Sequence, residues 1–194
     1  MIHDFYYFSR RYQKIEDDFL ELIDFIEITD NFKDPCYKVG GSKMMDFCIK
    51  VGTEIETLFR ILLNHKQFDS VLNIENLRKK QNITAYIKVI EPTYNLSNYR
   101  LIVNLIDTVI SPYEDFENSK APEWFRIYSL HKHNKIELVE RWNMKHSLYA
   151  LGGLAILVVN HPWIWENGFF PKNYFSFRVF NEKGLEPRFH SAVV

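Results

Sequence analysis

Arg126, His131 and His133 lie together in the run WFRIYSLHKH, with Lys132 and Lys135 beside them. An imidazole titrates near neutrality and can move a proton. A guanidinium can hold the extra negative charge of a phosphorane. Lysines draw in phosphate. Arg126 and His133 are seven residues apart, two helical turns, so the spacing places them on one helix face, with His131 to the side. A second pair, Arg141 and His146, follows five residues apart and is less well aligned. Together these types could bind a phosphate and move a proton beside it, with Arg126, His131 and His133 as the candidate catalytic groups and Lys132 adding phosphate attraction.

Other chemistries have less behind them. Alternate residues of a helix point apart, so His131 and His133 do not form a metal pair, and no third ligand is evident. Cys36 and Cys48 are the only cysteines, too few for a disulfide framework and not in a CxxC pair. No Gly-rich phosphate loop, Ser-His-Asp set or HExxH motif is present. No metal and no cofactor is expected.

The elements that must position these groups are mainly helical. Phe5, Phe8, Tyr12, Ile15, Phe19, Leu22 and Ile26 recur at spacings of three and four, predicting an amphipathic helix from about Asp4 to Ile28. Pro35, Gly40 and Gly41 break it. Ser42 is placed to cap a second helix reaching about Asn64, with Met45, Cys48, Val51, Ile55, Leu58 and Leu62 on its apolar face. Two long helices joined by a loop are expected to pack antiparallel. A shorter helical stretch spans Asn73 to Glu91 and stops at Pro92. Pro122 opens a helix through WFRIYSLHKH, with Glu123 in the first turn. A break near Asn134 separates it from a last helix, about Ile136 to Asn160, apolar all round in its second half. Gly152 and Gly153 there imply close approach of a neighbouring helix.

Two segments read as strand. YRLIVNLIDTVISPY puts Ile102, Ile106 and Ile110 on one face and Leu101, Val103 and Leu105 on the other; NYFSFRVFNE alternates Phe175, Phe177 and Val179 with Ser176 and Arg178. A lone strand is unstable, so the two are expected to pair antiparallel. The fold class is therefore mainly α: an antiparallel bundle of about four to six helices with a small antiparallel β element, one domain over 1–194.

Composition narrows the setting. The hydrophobic fraction is 46%, and Lys+Arg 24 against Asp+Glu 25 leaves a net charge of −1. Any nucleic-acid role must then rest on a local patch. The N-terminus MIHDFYYFSRR lacks a signal pattern, and Leu148 to Val159 is too short to cross a bilayer. The expectation is a cytoplasmic protein without membrane association.

An arginine followed at four to six residues by a histidine, late in a helical bundle, resembles the HEPN superfamily. RIYSLHKH carries that spacing twice and RWNMKH once. The run WFRIYSLHKHNKIE followed by LYALGGLAILVV also resembles uncharacterised bacterial helical-bundle proteins. At the matching positions stand Trp124, Tyr128 with Ser129 in place of their asparagine, Lys132-His133, and Ala150 to Leu157. TEIETLF on the second helix, with Glu54 and Glu56, fits the same set. The resemblance implies a helical, usually dimeric protein whose paired arginine-histidine motifs share a cleft and cut single-stranded RNA without metal. Lys132, Lys135, Tyr128 and Glu54 would contact the substrate. It further implies a toxin–antitoxin or phage-defence setting, with a cognate antitoxin or defence partner.

Two other readings stay open. One is a non-enzymatic, dimeric interaction or regulatory protein. The other is a small-molecule binder built on Trp163, Trp165, Phe169, Phe170 and Tyr174, although these aromatics suit a structural cap over the bundle better.

Overall fold

The computed structural model describes residues 2–133, 141–160 and 177–181. The chain runs α1 (Ile2–Ile23), α2 (Ser42–Leu63), α3 (Ile74–Lys80), α4 (Ile83–Tyr94), β1 (Tyr99–Val103), β2 (Thr108–Ile110), α5 (Glu123–His133), α6 (Met144–Val159) and β3 (Phe177–Asn181). It is a helical bundle with a small antiparallel sheet, as the periodicities predict.

Helix α1 buries Phe8, Tyr12, Ile15 and Phe19, the three-four stripe read from sequence. It ends at Ile23, earlier than Ile28, although Ile26 and Ile28 still pack against the core beyond its end. Helix α2 begins at Ser42, with Gly41 in the capping position at φ 151° and no side-chain cap. Its stripe from Met44 through Phe47, Cys48, Val51, Ile55, Leu58 and Leu62 is buried against α1, α4, α5 and α6.

The stretch expected as one helix from Asn73 to Glu91 is two. Gln81 adopts a left-handed conformation at φ 42°, and the Asn82 side chain caps α4 by accepting from the Ala85 amide. Pro92 sits in the last turn of α4 rather than after it. The last helix also starts later than expected. Residues 134–140 lie outside the described part, and 141–143 are not helical. Asn143 caps α6, its side chain accepting from the His146 amide.

The two β-prone segments do pair, with a modification. YRLIVNLIDTVISPY is a hairpin, not one strand: the chain reverses between Val103 and Thr108, with Asp107 at φ 47°. Leu101 faces Ile110 across the hairpin and Val179 on the other side, and the strand order is β2-β1-β3. The reversal brings Leu101, Val103 and Ile110 onto the same buried face as Phe177 and Val179. A period-2 pattern cannot reveal this, because it continues across the turn.

Helix α6 is the centre of the core, buried from Leu148 to Val159 apart from Tyr149. Its glycines mark its closest contacts. A Cβ on Gly152 would stand 2.9 Å from Leu101 and 3.1 Å from Ile110, so the sheet, not a helix, sits there. A Cβ on Gly153 would stand 3.1 Å from both Trp124 of α5 and the Tyr113 hydroxyl.

Candidate functional site

Helix α5 carries most of the sequence candidates and divides them between two faces. Trp124, Phe125, Ile127, Tyr128 and His131 point inward. Glu123, Arg126, Leu130 and Lys132 point outward. Trp124 fixes the helix start by donating its Nε1 hydrogen to the Pro112 carbonyl at 2.9 Å.

Arg126 is exposed and makes no ion pair or hydrogen bond among the described residues. Helix α5 stays regular through His133, so the two positions share one helix stripe. The side chain of His133 lies outside the described residues, as does Lys135. His131 is fully buried, and neither ring nitrogen has a hydrogen-bond partner among the described residues. Burial, reinforced by the nearby Arg141 charge, holds its imidazole below the ordinary histidine range. The structure therefore separates His131 from Arg126. An imidazole sealed in this way does not reach a bound polymer.

Tyr128 is also buried, against α2, and burial raises its phenol far above the usual value. Its ring lies where a side chain on Gly52 would be: a Cβ built there would meet Cδ2 at 2.2 Å. Tyr128 is thus a packing residue and offers no surface to a substrate. Lys132 is exposed but donates to Glu56 Oε2 at 2.7 Å, tying α5 to α2. Glu54 is 3% exposed and accepts from Arg11 Nε at 2.7 Å, while its Oε1 is buried without a partner among the described residues. The Arg11 guanidinium in turn lies 5.4 Å from the Tyr7 ring centre. Glu54 and Glu56, diverging on α2, each hold a different cation, which sequence spacing alone does not assign.

The second arginine-histidine pair also separates. Arg141 is exposed, whereas Trp142 is fully buried and donates from Nε1 to Ser147 Oγ at 2.7 Å. His146 is 8% exposed, with its ring 5.7 Å from that of Trp142. Its Nε2 stands 3.8 Å from Glu123 Oε2, an ion pair only when the imidazole is protonated. Burial lowers the pKa of His146 and outweighs the opposing pull of Glu123. Glu137 and Glu140, which precede Arg141 in sequence, lie outside the described residues. Glu123, read from sequence only as a first-turn acid, sits at the start of α5 opposite His146 at the start of α6. No local signal reveals that pairing, since it spans two helices.

The aromatic residues Trp163, Trp165, Phe169, Phe170 and Tyr174 lie outside the described residues. Among the described residues, no group of three or more histidine, cysteine or carboxylate side chains is arranged to hold a metal ion, and no helix is long and apolar enough to cross a membrane. What fold and site define together is a mainly α-helical protein with a three-stranded antiparallel sheet and an uncommitted arginine on the outer face of its fifth helix. Compared with protein-family models, curated proteins and solved structures, the chain matches none.

Proposed function

We propose that the outer stripe of α5, bearing Arg126 and His133, is an HEPN-like surface that binds single-stranded RNA and cleaves it without a metal. The observation that carries this reading is the state of Arg126. It is exposed and, among the described residues, free of carboxylates, whereas Arg11 and Lys132 are held by Glu54 and Glu56. A free guanidinium two turns from an imidazole on one helix is the minimum set for the reaction. The 2′-hydroxyl attacks the adjacent phosphorus, its proton passes to the imidazole, and the imidazolium gives a proton to the departing 5′-oxygen as the P–O5′ bond breaks. Arg126 steadies the added charge on the phosphoryl oxygens. The products are a 2′,3′-cyclic phosphate and a 5′-hydroxyl. His131 and Tyr128 take no part, because both are buried. Single-stranded RNA suits the site because its backbone can reach the in-line geometry. In this reading the protein is cytoplasmic, works as a homodimer with two motifs in one cleft, and serves toxin–antitoxin or phage defence under control of a cognate partner.

A second reading is favoured by the same ion pairs seen from the other side. With Lys132 and Arg11 neutralised and His131 enclosed, the surface has little net attraction for a polyanion. The protein is then a non-enzymatic, dimeric interaction module.

One experiment separates the two. Purified protein is incubated with total RNA and a fluorogenic single-stranded RNA in the presence of chelator, beside His133→Ala and Arg126→Ala. Cleavage by the parent alone, with cyclic-phosphate ends, supports the first reading. Intact RNA in every tube, from folded protein, ends it and leaves the second.

A further inference from the structure

Arg11 stands at the seam between α1 and α2, its guanidinium fixed on two sides. Its Nε donates to Glu54 Oε2 at 2.7 Å, and its Cζ lies 5.4 Å from the centre of the Tyr7 ring. We propose that Arg11, together with Lys14 and Lys50, forms a binding site for a phosphate group.

The contact with Glu54 is made through Nε alone. Glu54 is 3% exposed, and its second oxygen, Oε1, is enclosed without a partner among the described residues. A guanidinium and a carboxylate matched to each other commonly pair through two parallel hydrogen bonds. Here the second bond is not made, and the two terminal amino groups of Arg11 have no partner among the described residues. The Arg11 side chain stays 42% exposed. Glu54 therefore orients the fork of amino groups and leaves it to an external acceptor.

Two ammonium groups share the seam. Arg11, Lys14 and Asp18 recur at three and four residues on α1, and Lys50 and Glu54 at four on α2. The Arg11–Glu54 and Asp18–Lys50 pairs cross the seam at two levels, with Lys14 between them along α1. Lys14 is exposed and makes no ion pair among the described residues. Lys50 is held by Asp18, yet its ammonium lies below the ordinary lysine range: burial lowers it first, and the like charges of Lys14 and Arg11 add to the effect. Three cations thus crowd one another beside two carboxylates, and a bound anion relieves that repulsion. Phosphate suits the set better than a carboxylate does. N–H donors arrive from both helices, and a tetrahedral group offers an oxygen to each, whereas a carboxylate offers two in one plane. The site lies on α1 and α2 and does not depend on cleavage at the α5 stripe.

The test is an NMR titration of the full chain at low salt, following the Arg11 Nε–H signal and the backbone amides of α1 and α2. The probes are inorganic phosphate, a nucleoside monophosphate, a short single-stranded RNA without terminal phosphates, and acetate. A saturable shift is expected with inorganic phosphate, with a Kd of about a millimolar that weakens as salt rises. Arg11→Lys keeps the charge but removes the fork and should weaken phosphate binding about ten-fold, read from the amides. Lys14→Gln, which touches no buried pair, should weaken it about three-fold and serves as the second variant should Arg11→Lys perturb folding. If the RNA binds about ten-fold more tightly than the monophosphate, the phosphate belongs to a polynucleotide; the reverse order points to a small phosphorylated compound. Absence of a saturable shift up to about 50 mM phosphate, acetate binding as tightly as phosphate, or unchanged affinity in both variants overturns the proposal.

Discussion

The ring of Tyr128 occupies the space in which residue 52 would otherwise hold a side chain: a Cβ on Gly52 would lie 2.2–2.5 Å from its Cδ2, Cε2 and Cγ atoms. Helices α2 and α5 can approach this closely only because residue 52 is glycine. The contact sets the rotation of α5, and through it the partition that turns His131 inward and Arg126 outward.

Gly52→Ala should therefore destabilise the fold by roughly 1–3 kcal/mol, since one methyl group must displace a buried ring. Denaturant unfolding measures it. Combining Gly52→Ala with Tyr128→Leu, which frees the space, should cost less than the sum of the two single changes. Strict additivity would show that the ring and the glycine do not meet.

The Arg11–Glu54 pair is asymmetric. Glu54 is enclosed, whereas Arg11 is half in water. Arg11→Ala leaves a buried carboxylate unpaired and should cost about 1–3 kcal/mol. Adding Glu54→Leu to that variant removes the stranded charge and should recover most of the loss. Thermal and urea unfolding of the three proteins tests this.

The Lys132–Glu56 bridge is exposed and should contribute little. Lys132→Ala is expected to change stability by about 0.5 kcal/mol or less. If the α5 stripe binds RNA as proposed, the same variant should weaken RNA affinity only slightly, because the lysine charge is already matched by Glu56. A large loss of binding would show that the pair opens when RNA arrives.

The two buried histidines predict a pH dependence. Burial lowers the pKa of His131 and His146 in the folded protein, so the unfolded chain takes up protons first as pH falls. Their contribution is fully present above the ordinary histidine value of about 6.5 and is lost as pH drops below it. Unfolding free energy should be flat between about pH 7 and 8 and decline from pH 6.5 toward 5, by at most about 1.4 kcal/mol per pH unit for each histidine. His131→Leu should reduce the slope. An unchanged slope in both His131→Leu and His146→Leu would place the titration elsewhere.

Much of the architecture follows from the pattern of residue types alone. The stripe Phe8–Tyr12–Ile15–Phe19 had to be buried by its spacing, and Leu148 to Val159 had to lie at the centre because no face of that helix is polar enough for water. The branched segments had to find each other, because an isolated strand leaves its backbone unpaired. Boundaries were less legible where a single backbone angle decides them. The left-handed Gln81 splits one apolar stretch into two helices, and the reversal before Asp107 folds one apparent strand into a hairpin.

The site depended on tertiary structure to a greater degree. Spacing along α5 places Arg126 and His133 on one stripe, and it identifies the residue types capable of proton transfer. It does not say which face of the helix meets the core. That was decided by Gly52, Trp124 and the hollow left by Gly153, which together turn Tyr128 and His131 inward. The carboxylate that each cation meets was likewise settled across helices, as Arg11 with Glu54, Lys132 with Glu56, and His146 opposite Glu123. Local periodicity records how a segment divides between water and protein, because each side chain's transfer energy is its own. Charge pairing and the enclosure of an imidazole depend on neighbours distant in sequence, and those are fixed only when the helices pack.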